Sequence, residues 1–94
     1  MWGHPPHLLP LAGGRLLCSY GYRRPPYGVR ACMSSDEGET WDIENEIVLY
    51  TGGKGFDLGY PSSVQLDDGT ILTAWYESSH PGVSEIQGVL YRIE

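Results

Sequence analysis

The stretch Ser34-Ser35-Asp36-Glu37-Gly38-Glu39-Thr40-Trp41 constrains this chain more than any other. It reads Ser-x-Asp-x-Gly-x-Thr-Trp, and each fixed residue has a physical task. Asp36 can accept a backbone N–H two residues on and so close an Asx-type turn. Gly38 supplies the positive φ that such a turn needs. Trp41 offers a large apolar plate that can pin the turn against a sheet, with an indole N–H to satisfy. The hydroxyls of Ser34 and Thr40 can bond the loop backbone. Apolar β-type runs lie on both sides, so the loop joins two antiparallel strands. A chance Trp on an ordinary hairpin turn is the plain alternative, and the agreement of the spaced positions argues against it.

An internal repeat organises the rest, at an offset of 55 residues. The segment from Pro6 to Tyr20 matches that from Pro61 to Trp75, with Pro, Leu and Gly recurring identically and aliphatic and aromatic positions recurring in kind. Each copy reads as a short strand, a tight glycine turn and a longer strand. Asp68-Gly69 is the clearer hairpin turn and Gly13-Gly14 its counterpart. Arg23-Arg24-Pro25-Pro26-Tyr27-Gly28 follows the first copy, and its prolines cannot donate to a ladder, so it is a loop. A third strand runs from Val29 to Met33 and a fourth from Glu46 to Tyr50. Thr51 to Gly59 is a glycine-rich connection into the second copy. A loop from Ser78 to Glu85 and a strand from Ile86 to Ile93 complete that copy. Seven strands are expected in all. No segment sustains a helical apolar period, so the fold class is all-β.

Composition narrows the function classes. Ninety-four residues with 40% hydrophobic content, 13 Gly and 7 Pro suit one turn-rich β domain. A net charge of −6 argues against nucleic-acid and anionic-membrane partners. No apolar run is long enough for a spanning helix, and the N-terminus lacks the basic-then-apolar order of a signal peptide. Seven Tyr and three Trp can line a sugar cleft or fill sheet cores. Cys18 and Cys32 form no metal motif, and His4 and His7, separated by two prolines, are no helical ligand pair, so neither metal nor cofactor is expected. A hairpin centred on residue 25 would pair Cys18 with Cys32 and Tyr20 with Arg30, leaving two free thiols able to bridge on oxidation.

The 34–41 stretch resembles the Asp-box, or bacterial neuraminidase repeat, of sialidases and related β-propellers. In those families it marks the fold and lies on the face away from the active site. The resemblance implies antiparallel four-stranded blades of a six-bladed sialidase-like β-propeller, about two of them in this chain. Blade one spans about 4–50 with the Asp-box at 34–41, and blade two spans about 59–94 without a fourth strand. The chain then looks like the C-terminal two blades of a longer protein. The glycine turns and the Asp-box fall at one end of the strands. His4, His7, Arg23, Arg24, Tyr27, Asp57, Tyr60, Glu77 and His80 gather at the other, where propellers bind ligands at the mouth of the central channel.

Gly59-Tyr60-Pro61-Ser62-Ser63-Val64-Gln65-Leu66, followed by Asp68-Gly69-Thr70-Ile71 and Tyr76-Glu77, is similar to the last catalytic segment of bacterial sialidases. Tyr60 matches the nucleophilic tyrosine, which attacks the anomeric carbon of a sialic acid. Pro61 stands where sialidases usually carry Ser, and Tyr60 could instead simply pack at the start of the blade. Sialidases also clamp the substrate carboxylate with arginines, whose forked guanidinium matches it bidentately. Arg23, Arg24 and Arg30 all lie near the place of one of these, and the spacing does not choose among them. The acid/base Asp and the Glu that activates the tyrosine belong to blades outside this chain.

Three readings therefore compete: a fragment of a sialidase-like glycoside hydrolase that is inert alone, a carbohydrate-binding module, and a structural blade pair. The resemblance implies a carbohydrate ligand such as an acidic sugar. Two blades leave flat faces and strand edges uncovered, so a homo-oligomer is expected. Three chains closing a six-bladed ring are one arrangement the blade count allows.

Overall fold

The same hairpin is built twice. Leu11 N–H donates to Arg15 O at 2.8 Å and Gly14 N–H to Leu11 O at 3.1 Å. Fifty-five residues on, Leu66 N–H donates to Thr70 O at 2.7 Å and Gly69 N–H to Leu66 O at 2.9 Å. Gly13, Gly14 and Gly69 take φ near +90°, which only glycine adopts without steric cost. In the second copy Asp68 Oδ1 also accepts Thr70 N–H at 2.9 Å.

The computed structural model describes residues 3–80 and 82–93, with Ser79 and His80 described by their backbone alone. Seven strands and one 3-10 turn are present among them. Strands β1 (Pro6–Pro10), β2 (Leu16–Tyr22), β3 (Gly28–Ser34) and β4 (Ile47–Thr51) form an antiparallel four-stranded sheet in that order. Strands β5 (Leu58–Gln65), β6 (Ile71–His80) and β7 (Val83–Tyr91) form an antiparallel three-stranded sheet. The 3-10 turn spans Ile43–Asn45. The all-β class and seven strands stand as expected.

One boundary differs. The loop expected from Ser78 to Glu85 is ladder almost to its tip, with Ser78 opposite Ser84 and His80 opposite Val83. Gly82, at φ +78°, turns the chain tightly enough for pairing to continue on both sides. Serines there looked like loop formers, but a paired neighbour overrides that weak preference.

Strand β5 lies across β1 and β2 and joins the sheets. Alternation decides which side chains meet there. Leu17, Ala31 and Ile71 form one buried cluster with Leu11, and Val29, Leu58 and Trp75 form another. A chain of hydroxyls crosses between them. Ser19 Oγ lies 3.1 Å from Ser63 Oγ, Ser63 Oγ 2.8 Å from Thr73 Oγ1, and Thr73 Oγ1 2.8 Å from Tyr91 OH. Each hydroxyl is thus partnered, as burial demands. Nearby the two backbones touch: a Cβ on Gly21 would sit 3.0 Å from Gly59 Cα.

The β2–β3 register is the expected one, with Cys18 opposite Cys32 and Tyr20 opposite Arg30. Neither cysteine is in a disulfide among the described residues, and both are buried. Burial, and then the neighbouring Cys32, pushes the Cys18 thiol up to about 11.

Two outcomes follow. Gly21→Ala must push β2 from β5 and should cost about 1–3 kcal/mol in thermal or urea unfolding. An unchanged midpoint would contradict the close approach. At about pH 8 both thiols should resist a thiol-specific reagent in the folded chain and react at once in denaturant; rapid native labelling of either would contradict their enclosure.

Candidate functional site

Strand β5 begins Leu58-Gly59-Tyr60-Pro61. Pro61 has no N–H for the ladder, and the register shifts between Gly59 and Ser62. Gly59 takes φ +124° and Tyr60 φ +50°. A tyrosine in the left-handed region is uncommon, and the bulge turns its ring outward, 65% exposed. The Tyr60 ring lies 5.8 Å from that of Tyr76. The Arg23 guanidinium carbon sits 5.6 Å from the Tyr60 centroid, a cation–π distance.

Arg23 is held in place by its Nε, which donates to Leu58 O at 3.0 Å. Its Nη2 is enclosed and meets no acceptor among the described residues. Tyr76 OH donates to Asp57 Oδ1, and that bond pushes the Tyr76 phenol up. A shallow pocket of about 300 Å³ lies between Tyr60, Ser62, Ala74, Tyr76 and Ile86. Of the residues expected to converge, Tyr60, Arg23 and Asp57 do so, and Tyr76 joins them. The cluster's carboxylate, Asp57, is engaged by Tyr76 rather than by Tyr60.

Other expected site residues go elsewhere. Arg24 donates from Nε to Tyr22 OH at 3.1 Å and lies over that ring. Arg30 pairs with Glu46 at 2.9 Å and covers the Tyr22 ring at 3.5 Å, on the face of the first sheet turned away from the second. Tyr20 OH also donates to Glu46. Register places Arg30 there, because it sits opposite Tyr20. His7 is mid-strand in the seam, its Nδ1 accepting Ser63 N–H at 3.2 Å, so it is no mouth residue. His4 stays at the Tyr60 end, its backbone N–H donating to Gly21 O at 3.1 Å. Tyr27 packs beside Val29, Leu58 and Trp75. The side chain of His80 lies outside the described residues.

Glu77 corrects its expected role most sharply. It is only 4% exposed. It accepts Tyr50 OH at 2.7 Å, Gln87 Nε2 at 3.1 Å and the Lys54 backbone N–H at 3.0 Å. It thus fastens the connection after β4 to the second sheet, as a buried carboxylate must be fully hydrogen-bonded. The bond to Glu77 pushes the Tyr50 phenol up.

At the opposite end the 34–41 loop closes on itself, with one change from expectation. Gly38 N–H goes to Ser34 Oγ at 2.8 Å, not to Asp36. Asp36 instead takes Thr40 N–H at 2.8 Å, the Thr40 hydroxyl, and Ser34 Oγ–H at 2.7 Å. Gly38 has φ +92° as expected, and Glu37, at +63°, shares the left-handed turn. Two left-handed residues redirect the backbone, so the carboxylate reaches four residues ahead rather than two. Trp41 packs over Cys18, Tyr20 and Cys32 but is only half-buried. Its other side walls a cleft of about 540 Å³, which Arg15, Asp42, Asn45 and Ile93 also line. This cleft is the larger of the two pockets, at the end remote from Tyr60. It joins Ser35, Asp36, Thr40 and Trp41 of the 34–41 loop to Arg15 and Ile93, which lie far from that loop in sequence.

Among the described residues no cluster of three His, Cys, Asp or Glu could hold a metal, and no helix is long and apolar enough to cross a membrane. No protein-family model matches this chain, and no curated protein does. A solved structure is similar: a protein of unknown function from Dyadobacter fermentans DSM 18053, 40% identical with a TM-score of 0.84. The match covers all of this chain and 26% of that one, so the chain spans about a quarter of its relative's length.

The hydrogen bonds on Asp36, that of the Thr40 hydroxyl first, lower its carboxyl from 3.8 to about 2. A depressed carboxylate favours folding above its unfolded value, and the contribution fades as pH falls from 3.8 to about 2. Asp36→Asn should therefore melt below the parent at neutral pH, with the gap narrowing through that window. A gap independent of pH would contradict the assignment.

Proposed function

We propose that this chain is part of a sialidase-like β-propeller and that its Tyr60–Arg23 end binds an acidic sugar. The observation that carries the reading is the Arg23 guanidinium, fixed through Nε beside an outward-turned tyrosine pair and with an Nη2 that has no acceptor. An unmet buried donor is costly, and a ligand carboxylate would satisfy it with a charge-assisted bond. The Tyr60 and Tyr76 rings offer apolar faces for a sugar ring. Binding is favoured over cleavage for this chain by itself. A nucleophilic tyrosine needs a base, and Asp57 is occupied with Tyr76. Hydrolysis would need the carboxylates of further blades.

The repeat supports the propeller. Leu17 and, partly, Leu9 lie in the contact by which the first sheet covers the second. Their counterparts 55 residues on, Leu72 and Val64, are exposed, beside Ile86 at 80% and Leu90 at 61%. The face that the first sheet buries recurs uncovered on the second, which suits a further sheet of the same kind stacking there. The relative has room for such sheets: 94 residues at 26% imply a chain of about 360, or between about six and seven units of 55. In the isolated 94-residue chain a second copy would take that place.

N-acetylneuraminic acid should bind the chain saturably, its neutral relative N-acetylmannosamine should not, and Arg23→Ala should weaken binding about 10-fold or more. A fluorogenic sialoside should be left intact by this chain alone. Equal response to the neutral sugar, or no loss in Arg23→Ala, overturns the site. Light scattering tests the stacking face: a mass of one chain at micromolar concentration overturns it.

A further inference from the structure

The cleft beside the 34–41 loop is lined by chemistry that the Tyr60 end does not use. Its floor is Met33, Ile47 and Ile93, and one wall is the uncovered side of Trp41. Arg15, Asp42 and Asn45 form its rim. Its volume of about 540 Å³ falls within the roughly 300–1,000 Å³ of small-ligand pockets.

The rim decides what kind of ligand fits. The Arg15 side chain makes no ion pair or hydrogen bond among the described residues, although it is half-buried. It is a set of donors in the cleft lining with no acceptor among the described residues. Two carboxylates, Asp36 and Asp42, line the same cleft. That excess of carboxylates disfavours an anion despite the arginine. A cation fares no better. Both Asp36 oxygens are taken by Ser34 and Thr40, and a cation at Asp42 would face the Arg15 charge in the same cleft. A purely apolar ligand would bury the arginine and the amide without partners.

What remains is a neutral molecule with one apolar face and a rim that both gives and accepts hydrogen bonds. A pyranose meets both conditions. Its axial C–H face can lie on an indole. Its hydroxyls can accept from Arg15 and Asn45 while donating to the second lone pairs of the Asp42 oxygens. We propose that this cleft is a subsite for a neutral pyranoside, at the end of the chain opposite the Tyr60–Arg23 site and independent of it.

The test is a titration of the 94-residue chain, labelled with nitrogen-15, with methyl α-glucopyranoside and methyl β-galactopyranoside. At least one glycoside should shift the Trp41 indole N–H and the Asn45 side-chain amide saturably. Arg15→Ala and Asn45→Ala should each weaken that response about 3–10-fold, the loss expected for one or two hydrogen bonds. Both sit away from the buried clusters, and their backbone spectra report that the fold is retained. Tyr60→Ala and Arg23→Ala should leave the response unchanged, which separates this cleft from the other end. The proposal fails if neither glycoside gives a saturable shift. It fails equally if glycerol or triglycine gives the same shift, or if the response survives Arg15→Ala undiminished.

Discussion

The contact of β2 with β5 is the constraint on which the rest depends. A slide of one sheet by one residue would part buried Ser19 from Ser63, a hydroxyl that Thr73 and Tyr91 of its own sheet hold in place. The glycines beside the seam then let the backbones touch. With β5 pressed against β2 at Gly21, Leu58 O comes within reach of Arg23, which leaves the end of β2. The same closeness requires Gly59 to lack a side chain, and Pro61 two residues later forbids a regular ladder. Tyr60, caught between them, turns outward. The geometry of the Tyr60 end is thus a consequence of how tightly the sheets close, not a local property of its loop.

The other end works differently. The 34–41 loop satisfies its own backbone through Ser34, Asp36 and Thr40. It needs the sheet only as a surface on which to rest Trp41. Because the loop is self-sufficient, Trp41 need not be fully enclosed, and half of it stays available to the cleft. A rigid loop that holds an indole half open is a platform with little ordering cost on binding.

What was legible in the sequence follows from range. The 55-residue repeat, the glycine turns and the seven strands depend on neighbours close in sequence, and they are read correctly. The pairing of Cys18 with Cys32 needed only a turn centre and two-residue alternation. The convergence of Arg23 with Tyr60 was within reach because both flank loops at the same end. Glu77 and His7 were misplaced because the side of the strand they occupy is decided by the other sheet. Glu77 looks like a free acid until Tyr50, Gln87 and Lys54 close on it. Arg30 looked equivalent to Arg23, but Glu46, sixteen residues away, claims it. The cleft at Arg15 could not be foreseen, since Arg15 and Ile93 lie far from the 34–41 loop in sequence.

The acidic groups sharpen what this chain can contribute. A net charge of −6 makes carboxylates the first place to look for general acids and bases. Yet Glu46 is held by Tyr20 and Arg30, Glu77 by Tyr50 and Gln87, Asp57 by Tyr76, and Asp36 by Ser34 and Thr40. A carboxylate whose oxygens already accept such bonds is poised to hold structure, and taking up a proton would break what it holds. A general acid needs the reverse: a carboxyl whose neutral form is the favoured one. By contrast, among the described residues Arg23 Nη2, the Arg15 guanidinium, the Tyr60 face and half of Trp41 remain open. Donors and apolar faces bind and orient a polyhydroxylated ligand. They do not move its protons. Those engaged acids and open donors, among the described residues, are the physical basis of the proposal that this chain recognises a ligand.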